Sequence, residues 1–218
     1  MEVPVHSADS LPKRVLFPKK KWFAEEDPPK DLVIISRKEW EAVEPECNPE
    51  FDQLTPMKGP AVRVNFNCTA SEPCYNLTEC KALLQRCQEN YMGCGYPDIT
   101  HNFMIGADGR VYEGRGWDTI PDHLWGKNKD KCIDIAFTGF YMDHDKYPLP
   151  IQVGTAYKLL DFGIKSRKIS PKYKETWFRD EGFAGIGERK LKGIMGRKLK
   201  PKVTKLRELY EQYDVMFI

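Results

Sequence analysis

A cation and a flat aromatic stand together at Arg115 and Trp117, with Gly114 and Gly116 on either side of the arginine. Flanking glycines give the backbone freedom to approach a ligand closely. A guanidinium there can grip a carboxylate through paired N–H donors, and an indole suits the apolar face of a sugar. Residues of this type fit a groove for a ligand carrying both carboxylates and sugars. The same residues admit a plainer role, a surface hairpin whose Trp117 anchors a core edge.

Such a loop must be held by ordered elements, and the surrounding pattern supplies them. Phe103, Met104 and Ile105 form an apolar run, and Ala107-Asp108-Gly109 reads as a tight turn whose glycine tolerates positive φ. The chain then returns through Arg110, Val111 and Tyr112, which predicts a hairpin leading into the arginine loop. Other strands are predicted over residues 32–35, 61–66 and 133–137. Ser36 with Glu39 makes a capping box, predicting a short helix through Trp40. Leu83, Leu84, Cys87 and Tyr91 recur at helical spacing, so a helix is expected from Thr78 to Met92. A second is expected over 152–164, with Val153, Ala156, Tyr157 and Leu160 on its inner face. Strands mixed with helices predict an α/β fold, a central mixed β-sheet flanked by helices.

Length and composition narrow the classes. The 218 residues suit one sizeable domain, with 41% hydrophobic and 12% aromatic content to fill a core. A net charge of +2 gives no footprint for nucleic acid, so no such partner is expected. No stretch approaches the ~20 apolar residues of a membrane span. The first residues lack the apolar core of a secretion leader, which by itself predicts a cytoplasmic chain. The organisation expected is a Lys- and Pro-rich arm over 1–31, a folded domain over 32–180, and a basic segment with a terminal amphipathic helix over 181–218.

The cysteines point toward an oxidising compartment. There are seven, Cys47, Cys68, Cys74, Cys80, Cys87, Cys94 and Cys132, without the paired C-x-x-C arms of a zinc finger. A local disulfide between Cys74 and Cys80 would pin the start of the first helix. Two Asn-x-Thr sequons, at Asn67 and Asn76, would accept glycans in such a compartment, although Asn67 ends an apolar strand.

Taken in order, I-S-R-K-E-W, a strand ending in C-T, C-x5-C, a helix, D-I-x-x-N-F-x-I-G-x-D-G-x-V-Y-E-G-R-G-W and I-A-F-x-G resemble a peptidoglycan-recognition protein domain. The resemblance runs from about Leu32 to about Tyr173. It implies the fold of N-acetylmuramoyl-L-alanine amidases, a ligand groove on one face of the sheet, and Cys74–Cys80 as the family's disulfide. It also implies an innate-immune role, usually extracellular or membrane-tethered.

The resemblance further implies where chemistry would reside. Catalytic members bind zinc through two His and one Cys and leave a coordination position for water. Here Asn67 stands at the first ligand, and a carboxamide is a poor substitute for imidazole. His101 stands at the catalytic tyrosine, and Tyr91 where the family has a histidine. Residues 175–196, which should supply the remaining ligands, contain no His or Cys. The expectation is a domain without catalytic residues, without bound metal and without cofactor, similar to amidase-dead insect members and most of all to their LA-type long form. A displaced site of Cys68, His101 and His123 is the weaker alternative. For ligand contact the resemblance selects Thr69, Gly95, Tyr96, His101, Arg115, Trp117 and His123, with Arg115 matched to diaminopimelate-type peptidoglycan. Asp122 and the lost imidazoles at Tyr91 and Cys68 predict weak binding or none. Two rival functions remain, a zinc amidase and a scaffold that pairs with other recognition or signalling proteins.

Overall fold

The structure, a computed structural model, describes residues 28–46, 54–122, 129–141 and 148–177. The arm before residue 28, the basic segment, the terminal helix and His123 lie outside the described residues. What is described forms one six-stranded sheet with a helix against each face. The strands are β1 (Ile34–Ile35), β2 (Ala61–Cys68), β3 (Phe103–Ile105), β4 (Val111–Glu113), β5 (Cys132–Phe137) and β6 (Ile169–Trp177). The helices are α1 (Leu77–Gly93) and α2 (Pro150–Lys165). The sheet order is β1-β4-β3-β5-β2-β6, with β3 and β4 antiparallel and the other pairs parallel.

Strand alternation sorts side chains onto two faces. Val64, Phe66, Phe103, Ile105, Val111, Ile133, Ile135 and Phe137 join Ala156, Leu159 and Leu160 of α2 in one core. Met104, Tyr112 and Ala136 join Leu83 and Leu84 of α1 in the other, together with Ile35 and Trp40. Every residue of β5 is buried, as a strand covered on both faces must be. Among the described residues, the α1 core takes none from β2 or β6. On that face β2 instead presents Arg63, Asn65 and Asn67, and the register sets Lys174 and Thr176 of β6 beside the first two. A polar strip thus lies beside α1.

Local chemistry explains the element ends. Asn76 caps α1, its side-chain oxygen accepting from the Glu79 amide at 2.9 Å. Pro150 opens α2, and the Gln152 amide ties that end to the sheet by donating to Ile105 O at 2.9 Å and Thr138 O at 3.1 Å. Gly109, at φ +77°, makes the β3–β4 turn.

Two expectations change. The helix predicted after Ser36 is a capped turn: Glu39 accepts from Ser36 N at 2.8 Å, but Glu41 at φ +63° ends the helical path. Trp40 is fully buried there and donates its indole N–H to Glu113 O at 2.8 Å. β6 is not among the strands expected from sequence, because Ile169–Trp177 carries Pro171 and three lysine or glutamate side chains in place of an apolar alternation. Among the described residues it is an edge strand, where proline and lysine are tolerated and discourage further pairing.

Close packing of α2 on the hairpin yields one prediction. A Cβ at Gly163 would stand 2.8 Å from the Trp117 ring and 2.7 Å from Ile169 Cδ1. Gly163→Ala should therefore destabilise the fold by ~1–3 kcal/mol by overpacking, despite alanine's better helix propensity. A urea midpoint equal to or above wild type would contradict this.

Candidate functional site

The arginine loop is built around Asn102, which is fully buried. Its side-chain N–H groups donate to Gly116 O at 2.8 Å and Thr119 O at 2.7 Å, and its oxygen accepts from Asp134 N at 2.8 Å. Gly114 N and Gly116 N donate to Asn102 O at 2.9 and 3.1 Å. Glycine is required at 114 because a Cβ would lie 2.3 Å from His101 O. Asn102 stands within the central motif, but nothing in the sequence marks its role beyond a polar residue directly before an apolar strand.

Arg115 points inward. Its side chain is 2% exposed, donating from Nε to Ile99 O at 2.7 Å and from Nη1 to Ile120 O at 3.2 Å. Nη2 pairs with Asp122 at 2.9 Å. The guanidinium expected to meet a ligand carboxylate already has one, and it staples the loop to the segment before β3.

Trp117 packs toward α2. Its ring lies 4.5 Å from Phe103 and 6.3 Å from Phe162, centroid to centroid. It belongs to the core on the face opposite the polar strip. Arg115 and Trp117, adjacent in sequence, therefore do not converge on one surface.

The polar strip holds a chain of side chains instead. Asn65 Nδ2 donates to one carboxylate oxygen of Asp134 at 2.5 Å, and His101 Nδ1 meets the other at 2.5 Å. His101 Nε2 lies 3.0 Å from Tyr91 Oη. The two oxygens of Asp134 are thus divided between the amide of Asn65 and the imidazole of His101. The Tyr91 phenol is pushed up to about 12, mainly by burial. It keeps its proton at neutral pH, so the contact with His101 Nε2 involves a neutral phenol. Tyr96, 36% exposed, meets Tyr91 edge-on at 5.9 Å, and Gly95 reaches φ +90° to turn the chain between them.

The end of β2 completes the region. Asn67 Oδ1 accepts from Cys68 N at 2.9 Å. Cys68 faces the α2 core with Val64 and Phe66, so its thiol replaces a core side chain rather than a ligand-facing imidazole, which corrects that expectation. Thr69 Oγ1 contacts Ser71 Oγ at 2.6 Å and accepts from Gly139 N at 3.1 Å, ordering the turn. Cys74 and Cys80 are joined, tying this loop to the first turn of α1.

These residues do not fit zinc. Asn67 uses its oxygen on its own chain, His101 is held at both ring nitrogens, and Cys68 lies on the other face of the sheet. Of the displaced set, Cys68 and His101 lie on opposite faces of the sheet, and His123 lies outside the described residues. Among those residues no cluster of three His, Cys, Asp or Glu is placed to hold a metal ion.

Buried phenols make stability fall in alkali. Burial raises Tyr91 to about 12 and pushes Tyr112 and Tyr141 above the usual tyrosine range. Unfolded tyrosine ionises near pH ~10. The folded chain retains these protons above that, so their stabilisation is complete below pH ~10 and declines as pH rises through about 12. Tyrosinate absorbance from these residues should develop together with loss of the near-ultraviolet circular dichroism. Ionisation of all three near pH 10 in a still-folded protein would contradict it.

No family model matches the chain. It is 32% identical over 148 residues to peptidoglycan recognition protein 1 of Bos taurus, covering 67% of this chain and 74% of that protein. Among solved structures it is similar to the ectodomain complex of peptidoglycan recognition proteins LCa and LCx bound to tracheal cytotoxin. That likeness has a TM-score of 0.61 and 31% identity, covering 68% of this chain and 85% of the other. A second is peptidoglycan recognition protein LE in complex with tracheal cytotoxin, a monomeric diaminopimelic acid-type peptidoglycan. Its TM-score is 0.60 at 30% identity, covering 66% and 81% of the two chains.

Proposed function

The chain belongs to the peptidoglycan-recognition protein family, and from that premise we propose that it is a non-catalytic recognition domain, an innate-immune receptor or modulator with weak or no affinity for peptidoglycan. The observation that carries this reading is the closed chain Tyr91–His101–Asp134–Asn65. Hydrolysis of an amide needs an activated water and a donor aimed at the developing oxyanion. In this chain the imidazole is engaged at both nitrogens, and the phenol that meets it keeps its proton.

Weak binding is supported by Arg115. A diaminopimelate carboxylate would have to displace Asp122 and draw out a guanidinium that also satisfies two backbone carbonyls. The solved relatives bound to tracheal cytotoxin make the diaminopimelate-type stem the ligand to test first. The LCa–LCx complex likewise makes another recognition protein the first partner to test for the scaffold reading. Assignment to the LA type rests on the rewritten polar strip alone.

Two measurements test the proposal. Peptidoglycan suspensions with added zinc should stay turbid, and clearing above a catalytically dead control would restore the amidase reading. Calorimetric titration with a diaminopimelate muropeptide should give no sub-micromolar binding, and a sub-micromolar Kd would overturn the weak-binding proposal.

A further inference from the structure

The fold treats the two Asn-x-Thr sequons differently. Asn67 lies within β2, between β5 and β6, with its oxygen on Cys68 N and Cys68 buried behind it. A group attached there would stand on the polar strip itself. Asn76 lies outside the sheet, in the loop from β2 to α1, in extended conformation at φ −150° and ψ 167°. It is partly exposed, and Thr78, the sequon hydroxyl, is exposed on the first turn of α1.

The Asn76 side chain divides its two polar atoms between two tasks. Its oxygen caps the helix through Glu79 N, and no described residue bonds its Nδ2. The Cys74–Cys80 disulfide flanks it on both sides, and such bonds persist in the oxidising compartments through which glycoproteins pass.

We propose that Asn76 is an N-glycosylation site and that Asn67 is not. The donor is an oligosaccharide linked to a polyprenyl diphosphate. Nδ2 attacks the sugar C1 and forms the N–C bond while the bond from C1 to the diphosphate oxygen breaks. The diphosphate leaves with that electron pair, and Nδ2 gives up one of its two protons to a base of the transferase. The amide oxygen is untouched, so the capping bond to Glu79 survives the modification.

The test is expression of the full chain behind a cleavable secretion leader in animal cells, with intact mass measured on protein from the secretory lumen and the medium. One glycan-bearing form is expected, reduced to peptide mass by peptide N-glycosidase, which leaves Asp at position 76. Thr78→Ala destroys the sequon but retains the Asn76 cap, and should abolish the mass shift without lowering the thermal midpoint of the unglycosylated chain. Asn67→Gln should leave the shift intact. Unmodified Asn76 in disulfide-bonded lumenal protein, or a shift that survives Thr78→Ala, would overturn the proposal.

Discussion

Arg115→Ala should cost about 3–5 kcal/mol of folding stability, far more than loss of a surface ligand contact would. The side chain is 2% exposed and satisfies Ile99 O and Ile120 O as well as Asp122. Each buried carbonyl left without a donor carries a penalty of ~1–3 kcal/mol, and Asp122 loses its charge partner. Arg115→Lys should recover only a fraction, because a single ammonium cannot reproduce a planar fork whose three nitrogens serve three acceptors. Urea unfolding is the direct measurement. A variant with wild-type stability would mean that the guanidinium is free to leave its pocket, and would return it to the role of ligand contact.

The consequence reaches any binding experiment. A ligand-binding defect in an Arg115 variant says nothing about carboxylate recognition unless the fold is shown to be intact. Asp122→Asn is the cleaner probe. It removes the internal competitor at a position whose side chain is 37% exposed, and leaves both backbone acceptors of Arg115 in place. If Asp122 suppresses binding of an anionic stem, this variant should bind diaminopimelate muropeptide more tightly than wild type.

Asp134→Ala is the second large effect, again about 3–5 kcal/mol. Asp134 is fully buried and receives both Asn65 and His101, whose side chain is 3% exposed. Removing the carboxylate strands two buried N–H groups in a region that water cannot readily reach. His101→Phe combined with Asp134→Leu should be less destabilising than the sum of the two single changes, because apolar replacement of both partners removes the unpaired groups together. Additive single and double effects in urea would show that the two side chains act independently.

Much of the framework was legible because it is written in local pattern. The helix expected from Thr78 to Met92 is α1, Leu77–Gly93, and the one expected over 152–164 is α2, Pro150–Lys165. The small displacements follow from Asn76 acting as the cap and Pro150 occupying the first turn. The hairpin formed where Ala107-Asp108-Gly109 predicted it. β6 was not legible, since an edge strand lacks the apolar alternation that marks its covered neighbours.

The polar strip was the least legible part. Asn65 and Asp134 are 69 residues apart, and His101 and Asp134 are 33 apart, so no local window contains either pair. Their side chains meet because β2 and β5 pair in parallel with Asn65 opposite Asp134. The swap of Tyr91 and His101 relative to the family pattern was visible, yet the hydrogen bond between them was not.

From its residues alone this protein declares its family, its α/β class, its central hairpin and the cysteine pair that closes the loop before α1. Those features depend on motif order, short-range periodicity and a spacing of 6 residues between Cys74 and Cys80. Tertiary structure alone decided where the suggestive side chains point. Arg115 turned inward, Trp117 packed on α2, and Cys68 entered the core. Strand alternation fixes that neighbours face opposite ways, but only the sheet order and the helices laid over it determine which face is filled and which is left polar.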